Sequence, residues 1–328
     1  MAKKALRSLI TGIGGFAGGH LAAALLARGE AVAGYTLGNS QHSQLEPILE
    51  HLQLVEADVL NGQALSAAMV DFRPDIVYHL AALTHVGEAW KKRRQTLEVN
   101  ILGTATVLEA ASKLNPKPKV LLASSGQVYG AGGEGGSILS ERHTPRPLSP
   151  YAASKRCAET LALQAWVGES LATVIVRTFN FTGPWQTPDF VCSDFARQIA
   201  WAEAGLGPAQ IRIGNLDARR DFSDVRDIVE GYMLIADRGE AGKIYNLASG
   251  RAIRIGDLLE QLLELSRVPI DVQQDPGRLR PVEITSMAGD ASRARDELGW
   301  RPRVSLQETL ESVLDFWRQQ ALRQSNRR

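Results

Sequence analysis

Three glycines that come directly after a short apolar segment constrain the fold of this chain most. Gly12, Gly15 and Gly18 form the pattern G-x-x-G-x-x-G between an apolar run over 5–10 and a helix-like stretch over 20–28. Glycine allows a tight turn and a close approach of the backbone to a ligand, and the first amides of a helix attract anions. A strand, a glycine turn and a helix in this order predict a binding site for the pyrophosphate of a dinucleotide.

Further apolar runs of strand length alternate with helical segments along the first half of the chain. The predicted strands cover 31–34, 52–57, 75–80, 120–123 and 173–176, and helical segments include 63–72 and 96–114. Because these runs are apolar enough to be covered on both faces, they indicate a parallel sheet between two layers of helices. We therefore expect an α/β protein with a Rossmann-like, doubly wound parallel sheet over residues 1–182.

The alternation loosens from about residue 183, because prolines and glycines interrupt the elements. We expect a smaller, irregular α/β lobe made of residues 183–214 and 249–320. Residues 215–248 contain a helical segment over 225–236 and are expected to return to the first domain. Residues 321–328 are expected to form a disordered tail.

Charge and cysteine content argue against several kinds of partner. The 37 Lys and Arg residues nearly balance the 36 Asp and Glu residues, so no net field favours nucleic acid or an anionic membrane. The apolar segment near the start is broken by Arg7 and Ser8, unlike a signal peptide, and no apolar run reaches the roughly 18 residues of a membrane span. Cys157 and Cys192 lack metal-ligand spacing. We expect a cytoplasmic protein without a metal site.

A tyrosine and a lysine stand four residues apart at a predicted helix start. Tyr151 and Lys155 follow Pro150, and the helical period that continues beyond them places both side chains on one face. A nearby cation favours the phenolate form of a tyrosine and tunes it for proton transfer. This spacing is common on solvated helices, so it indicates proton exchange with a sugar or alcohol oxygen only in combination with other motifs.

Two serines complete the combination. Ser124 and Ser125 follow the predicted strand 120–123, at the edge of the sheet where such folds bind ligands. With them, the sequence resembles the extended short-chain dehydrogenases/reductases that act on nucleotide sugars. The matching motifs span nearly the whole chain and are, in order, T-G-x-x-G-F-x-G, H-L-A-A, V-N-x-x-G-T, S-S-x-x-V-Y-G, P-Y-x-x-S-K and R-D-F-x-D-V-R-D.

The resemblance implies hydride transfer between a nicotinamide cofactor and a sugar carbon. It assigns Ser125 to the reacting oxygen, Tyr151 to acid/base chemistry, and Lys155 to tuning Tyr151 and holding the nicotinamide ribose. The end of the second strand lacks an acidic residue that would repel a 2′-phosphate, which favours NADP(H) slightly over NAD(H). The predicted cofactor-binding residues are Gly12, Gly15, Phe16, Gly18, Thr36, Asn39, Ser40, Asp58, Val59, Leu80, Ala81, Ala82, Tyr151 and Lys155.

The same resemblance indicates a GDP-sugar substrate, with Asn180, Arg220 and Arg280 around the diphosphate. Arginine offers a planar fork of donors that matches phosphate oxygens; the alternative for Arg220 is an ordinary ion pair, and for Arg280 a surface position. The predicted substrate-binding residues are Thr84, His85, Ser124, Gln127, Asn180, Arg220, Arg280 and Glu283.

Gly126 and Gln127 help to distinguish between the reactions that members of this family catalyse. In the family's 4,6-dehydratases the two residues after the catalytic hydroxyl include a Glu that removes the sugar C5 proton, and an amide has no useful basicity. We therefore expect NAD(P)H-dependent reduction of GDP-4-keto-6-deoxy-D-mannose at C4. The alternative is a nucleotide-sugar 4-epimerase with tightly bound NAD, and a dehydratase that uses Glu141 or another loop carboxylate is less favoured. A non-catalytic dinucleotide-binding protein would have no need of Ser125, Tyr151 and Lys155.

The helical segments 96–114 and 151–167 hold more Ala and Leu than one core face requires. The family commonly dimerises through this pair of helices as a four-helix bundle. We therefore expect a homodimer.

Overall fold

Seven parallel strands form the central sheet of the protein. The structure is a computed structural model and describes residues 5–37, 44–131, 138–278 and 284–326. The strands follow the order β10-β6-β5-β4-β1-β2-β3 across the sheet, so the chain starts at the centre and winds toward both edges. Their ranges are β1 (Arg7–Thr11), β2 (Ala31–Thr36), β3 (Leu52–Glu56), β4 (Ile76–His79), β5 (Lys119–Ser125), β6 (Thr173–Thr178) and β10 (Ile244–Leu247).

Helices cover both faces of this sheet, because successive side chains of each strand point to opposite faces. Leu9, Val77 and Val120 pack in one apolar cluster, and their neighbours Ile10, Tyr78 and Leu121 pack in the other. The first cluster is covered by α2 (Gly62–Phe72), α5 (Gly103–Ser112) and α6 (Pro150–Glu169), and the second by α1 (Phe16–Ala27) and α8 (Val225–Arg238). The Rossmann-like doubly wound fold predicted from the sequence is confirmed.

The connection between β4 and α5 is built from short helical pieces. They are α3 (Val86–Lys91), α4 (Arg93–Leu97) and one turn of π-helix over Glu98–Leu102. Such a turn widens the helix locally and is often found at functional sites. Here it places the side chain of Asn100 in the interior.

A second lobe contains two small sheets and a helical layer. Four strands, β7 (Asn180–Thr182), β9 (Arg219–Asp224), β11 (Ala252–Arg254) and β13 (Ser286–Met287), form one sheet, and β8 (Gln210–Ile213) pairs with β12 (Asp271–Gln274) in the other. An apolar cluster of its own joins α7 (Val191–Glu203), α9 (Ile255–Glu264) and α11 (Leu306–Ser325). This is the smaller, irregular α/β lobe.

The boundaries between the lobes differ in three places from those expected. Strand β9 lies in the small sheet, although 215–248 was expected to return as a unit; α8 and β10 pack in the first domain. Helix α10 (Ser292–Leu298) and Trp300 also pack in the first domain, because Ala294, Leu298 and Trp300 complete its apolar cluster. Helix α11 continues to Ser325, with Ala321 buried, so residues 321–325 are helical rather than a disordered tail.

None of the helices in the described part of the chain combines the length and the apolar character needed to cross a membrane.

Candidate active site

The carboxyl end of β5 and the first turn of α6 bring a serine, a tyrosine and a lysine together. Ser149 caps α6 by accepting a hydrogen bond from Ala152 N at 3.1 Å, and Pro150 occupies the first turn, where its missing N–H costs nothing. Tyr151 and Lys155 therefore lie one turn apart on one face of the helix. Both side chains are buried, as is Ser125 at the end of β5.

The hydroxyl of Ser125 is oriented by the backbone. Gln127 N donates a hydrogen bond to Ser125 Oγ at 3.2 Å, which leaves the Ser125 proton available for donation. Burial raises the pKa of Tyr151 to about 12 and outweighs its interaction with the Ser125 side chain, which lowers that pKa. The Tyr151 phenol is therefore protonated at neutral pH, in the state required of a proton donor.

Lys155 points at the strand rather than at the phenol. Its Nζ donates to the carbonyl oxygen of Ala123 at 2.8 Å, and burial lowers its pKa to about 8. The influences that set the Tyr151 pKa are burial, which is the larger, and the Ser125 hydrogen bond. The expectation that a cation would favour the Tyr151 phenolate thus does not describe this arrangement: desolvation of the phenol is the dominant effect.

The glycine turn forms a cradle without side chains. Gly12 has φ +76°, and a Cβ on it would lie 2.8 Å from Ala81 N. The helix cap, Gly15, offers no side chain to the first amides of α1, and the first turn contains no acidic residue. Uncapped amides at a helix start suit a phosphate group. This cradle therefore fits the pyrophosphate of a dinucleotide.

The other predicted cofactor residues surround the same edge of the sheet where the structure describes them. Thr36 ends β2, and Leu80, Ala81 and Ala82 follow β4, with Leu80 N donating to Thr11 O at 3.1 Å. Asp58 is exposed after β3 and accepts a hydrogen bond from Leu60 N through Oδ1. Val59 is buried, and Phe16 stacks on Phe181 with ring centroids 5.5 Å apart. Asn39 and Ser40 lie outside the described residues.

Several predicted substrate residues stand between the two lobes. His85 caps α3 by accepting a hydrogen bond from Glu88 N through Nδ1 at 3.0 Å, and its ring meets Phe190, at the start of α7, edge-on. Thr84 is exposed beside it, and Asn180 is partly buried on β7. Because Nδ1 is the acceptor, a neutral His85 would carry its proton on Nε2.

Of four other predicted substrate residues, the structure describes two. Arg220 is buried on β9, and its Nη1 donates to Arg219 O at 2.8 Å. Gln127 is partly buried beside Ser125, whereas Arg280 and Glu283 lie outside the described residues.

Ser124 does not face the site as predicted. Its hydroxyl donates to Glu159 Oε1 at 2.6 Å, and the side chain is buried. Ser124 points to the face of the sheet that α6 covers, as Val120 and Leu122 do, and meets Glu159 there, whereas Ser125 ends the strand beside Tyr151 in the first turn of α6. We therefore do not include Ser124 in the proposed substrate site.

The position directly after Ser125 has little room for a side chain, and the nearby loop carboxylate has another partner. A Cβ on Gly126 would lie 3.0 Å from the ring of Phe179, so a larger residue would require the ring to move. Glu141, the loop carboxylate considered from the sequence, accepts a hydrogen bond from Asn246 N at 2.8 Å on β10.

Two buried polar residues that were not predicted as site residues connect the elements around the site. The imidazole of His79 bridges Thr11 Oγ1 at 2.7 Å and Thr104 Oγ1 at 2.9 Å, and burial lowers its pKa to about 3. Asn100 contacts the backbone of Leu83 and donates to Ser154 Oγ at 2.8 Å. Both residues lie in matched motifs, H-L-A-A and V-N-x-x-G-T, which were the available signal. Within the described ranges, no group of three or more His, Cys, Asp or Glu side chains could hold a metal ion.

Comparison with known proteins places this geometry among sugar-nucleotide enzymes. A family model described as GDP-mannose 4,6 dehydratase matches residues 9–313. The GDP-6-deoxy-D-mannose reductase of Pseudomonas aeruginosa is 35% identical over 311 residues, which cover 95% of this chain and 97% of that protein.

Two solved structures also match nearly the whole chain. The structure of RMD from Pseudomonas aeruginosa complexed with NADPH matches with a TM-score of 0.81 and 33% identity, covering 96% of this chain and 99% of that one. The UDP-glucose 4-epimerase of Thermus thermophilus in complex with NAD matches with a TM-score of 0.86 and 29% identity, covering 95% and 99%.

Proposed function

The chain belongs to the GDP-mannose 4,6-dehydratase family of extended short-chain dehydrogenases/reductases, and from that premise we propose that it reduces GDP-4-keto-6-deoxy-D-mannose at C4 with NADPH or NADH. The product is a GDP-6-deoxy-hexose. The similarity to a GDP-6-deoxy-D-mannose reductase over nearly the full length of both chains supports this choice of substrate. The cofactor is a nicotinamide dinucleotide, and the slight preference for NADPH rests on the end of β2.

One observation carries the choice of reductase over dehydratase: Gln127 stands beside Ser125 where a dehydratase has a carboxylate base. Gly126 has no room for a larger side chain without movement of Phe179, and Glu141 is hydrogen-bonded to β10. Removal of a C5 proton needs a base, which an amide cannot provide. The site retains the groups for proton donation to an oxygen.

In the proposed reaction, Tyr151 is the proton donor. When bound, the nicotinamide would supply the hydride for C4, and Tyr151 would give its proton to the carbonyl oxygen, which becomes the C4 hydroxyl. Ser125 donates a hydrogen bond to that oxygen and so stabilises the developing negative charge. Lys155 would hold the nicotinamide ribose, and its ammonium would place a positive charge one helical turn from the phenolate left after transfer. The chain thus supplies orientation and electrostatics to chemistry that belongs to the cofactor.

We assign the following roles to the residues around the proposed cofactor and substrate. The glycine cradle would hold the pyrophosphate, Asp58 would accept from the adenine amino group, and Thr36 would lie near the adenosine ribose. On the substrate side, Asn180, Arg220 and Arg280 would bind the diphosphate, and His85 Nε2 would donate to the sugar.

The direct test is incubation of the purified protein with the 4-keto sugar and NADPH. We expect a stoichiometric fall of absorbance at the nicotinamide band and formation of the 4-hydroxy sugar nucleotide. GDP-mannose with NADP should yield no keto sugar. If the keto sugar leaves the nicotinamide absorbance unchanged, the proposed reduction is excluded.

A 4-epimerase is the second candidate, and the match to an NAD-bound UDP-glucose 4-epimerase favours it. That reaction uses Ser125, Tyr151 and Lys155 and requires no base at Gln127. It regenerates its cofactor in each cycle. Tightly retained NAD in the purified protein, with interconversion of C4 epimers and no net change in cofactor, would favour the epimerase.

We further propose that the protein forms a homodimer through the segment 93–112 and α6. The family commonly dimerises through this pair of helices, and three exposed apolar side chains, Leu102, Trp166 and Val167, lie on or beside them. Sedimentation at micromolar concentration should give the mass of two chains; the mass of one chain would contradict the proposal.

The two cysteines are unpaired, Cys157 exposed and Cys192 buried. This pattern supports a reducing compartment, the cytoplasm, as the place of action. Fractionation of cells that produce the protein should recover it with cytoplasmic markers, and recovery with periplasmic or membrane markers would contradict this assignment.

A further inference from the structure

A fully buried ion pair lies directly behind the proposed acid–base set. Glu159 follows Lys155 by one turn on α6, and Arg177 lies on β6. Their side chains are 0% and 2% exposed. Arg177 Nε donates to Glu159 Oε1 at 2.8 Å, and Nη2 donates to Oε2 at 2.7 Å. This paired geometry fixes the orientation of both groups as well as their distance.

The same carboxylate connects α6 to the strand that ends in Ser125. Ser124 Oγ donates to Glu159 Oε1, and Arg156 Nη1 donates to Oε2 at 3.0 Å. Glu159 therefore receives hydrogen bonds from β5, β6 and its own helix. Ser124 is the immediate neighbour of Ser125, so this contact fixes α6 against β5 at the level where Ser125 meets Tyr151.

A buried ion pair is a poor way merely to attach a helix to a sheet. The desolvation of two charges can exceed their attraction, and apolar side chains of similar volume often stabilise a fold as well or better. A carboxylate provides two things that an apolar side chain cannot provide: directed hydrogen bonds and a negative charge. Both are useful beside a buried lysine that must stay charged.

Lys155 is the group that the charge of Glu159 affects. The lysine is 5% exposed, and burial lowers its pKa to about 8, whereas the Glu159 carboxylate raises it. Loss of that carboxylate would leave the desolvated ammonium without its compensating charge.

The other ionisable groups around Lys155 do not supply such a charge. Tyr151, on the same helix, is protonated because its pKa lies near 12. His79, on β4, is neutral because burial lowers its pKa to about 3. Arg177, on β6, and Arg156, on α6, are cations, and both bind Glu159. Among the residues that the structure describes, the ionisable groups named here that remain around Lys155 without Glu159 are neutral or positive.

We propose that Glu159 is a positioning residue for the reaction: it fixes α6, with Tyr151 and Lys155, against Ser125 on β5, and it supplies the negative charge that keeps Lys155 an ammonium. The role of the lysine in turnover rests on the function proposed above. The effect of Glu159 on the charge of Lys155 does not.

The test uses the variant E159Q, which keeps the size of the side chain and removes its charge. The control is E169Q, on the same helix, where the carboxylate is exposed and contacts Ser112 and Gln164. Protein labelled with ¹³C at lysine Cε is titrated by NMR without substrate, and the Lys155 signal is identified by its loss in K155R. We expect the Lys155 midpoint, near 8 in the wild type, to fall by about one pH unit in E159Q and to stay in place in E169Q.

Turnover provides the second measurement. In E159Q, kcat should fall roughly 10–100-fold at pH 8, because misplacement of a reacting group by about 1 Å can cost that much and because part of the Lys155 charge is lost at this pH. The loss should be smaller at pH 6, where Lys155 is still charged. A purely structural role would instead lower kcat by the same factor at every pH. An unchanged Lys155 midpoint in E159Q would overturn the proposal.

Two further outcomes are distinguishable. If E159Q fails to fold because Arg177 is left buried without a partner, the variant E159Q/R177M removes that cation, and the Lys155 midpoint is still expected to fall, by less than in E159Q because a like charge is lost as well. If the wild type reduces no keto sugar, the proposed function fails, while the NMR titration still decides the role of Glu159.

Discussion

The side chain of Asn100 binds both backbone polar groups of Leu83. Its Oδ1 accepts from Leu83 N at 2.8 Å, and its Nδ2 donates to Leu83 O at 3.1 Å and to Ser154 Oγ. The segment that leads to Thr84 and His85 is thereby fixed to the helix that contains Tyr151 and Lys155. A single buried amide thus sets the distance between the proposed sugar-binding loop and the proton donor.

Replacing Asn100 by Ala should weaken sugar binding more than cofactor binding. The change removes a partner from the partly buried Leu83 backbone groups and from the buried Ser154 Oγ; an unsatisfied buried group costs about 1–3 kcal/mol, and a partly buried one less. We expect a lower melting temperature and a KM for the sugar nucleotide raised about tenfold or more, with a smaller change in the KM for NADPH. T106A, which removes an exposed hydroxyl bonded to Leu102 O, should change neither constant; equal changes in both constants for N100A would argue against this role.

Replacing Tyr151 by Phe should abolish most of the activity without affecting the fold. The ring remains in place while the proton donor is lost, and general acid catalysis contributes about 10²–10⁴-fold. Steady-state rates of NADPH consumption measure the loss. NADPH binding, followed by fluorescence, should stay close to that of the wild type. Undiminished turnover in Y151F would show that another group donates the proton.

Gly12 and Gly29 have nearly the same φ, so alanine variants at these two positions distinguish the cost of backbone strain from the cost of a steric clash. Gly12 has φ +76° and approaches Ala81, whereas Gly29 has φ +79° and a Cβ there would meet nothing within 4 Å. G29A should cost only the strain of a left-handed residue, about 1–2 kcal/mol. G12A adds a clash with the Ala81 backbone, so it should destabilise further and also weaken NADPH binding.

Urea denaturation and NADPH titration of both variants measure these two effects. Equal stabilities and an unchanged NADPH affinity in G12A would contradict the assignment of the cradle.

The rate of reduction should fall as the pH rises through about 8. Burial lowers the pKa of Lys155 to about 8 from an ordinary value of 10.5, so the ammonium is present below this pH and is lost above it. The Tyr151 proton stays in place through the same range, since its pKa is about 12. We expect kcat/KM to decline about tenfold for each pH unit above the midpoint, as for loss of one essential proton.

The control is K155R, because arginine stays charged throughout this range. Its profile should be flat between pH 7 and 10, at a lower rate. A wild-type profile that is flat to pH 9.5 would show that the charge of Lys155 is not required.

The local features of the site were accessible from the sequence, because their physical cause lies within a few neighbouring residues. The glycine turn, the strand–helix alternation of the first domain and the start of α6 at Pro150 depend on backbone sterics and short-range periodicity. Gln127, two positions after Ser125, is likewise a local fact, and it separates the proposed reductase from a dehydratase.

The sequence alone therefore determined the kind of sheet and the places of the glycine turn and of Ser125, Tyr151 and Lys155, whereas the tertiary structure decided which polar groups surround these residues. Ser124 and Ser125 look equivalent in the chain, but in the folded protein one interacts with Glu159 and the other with Tyr151. Glu141 accepts from Asn246, 105 residues away. Such pairings depend on which strands become neighbours in the sheet, and no local pattern of residues specifies that.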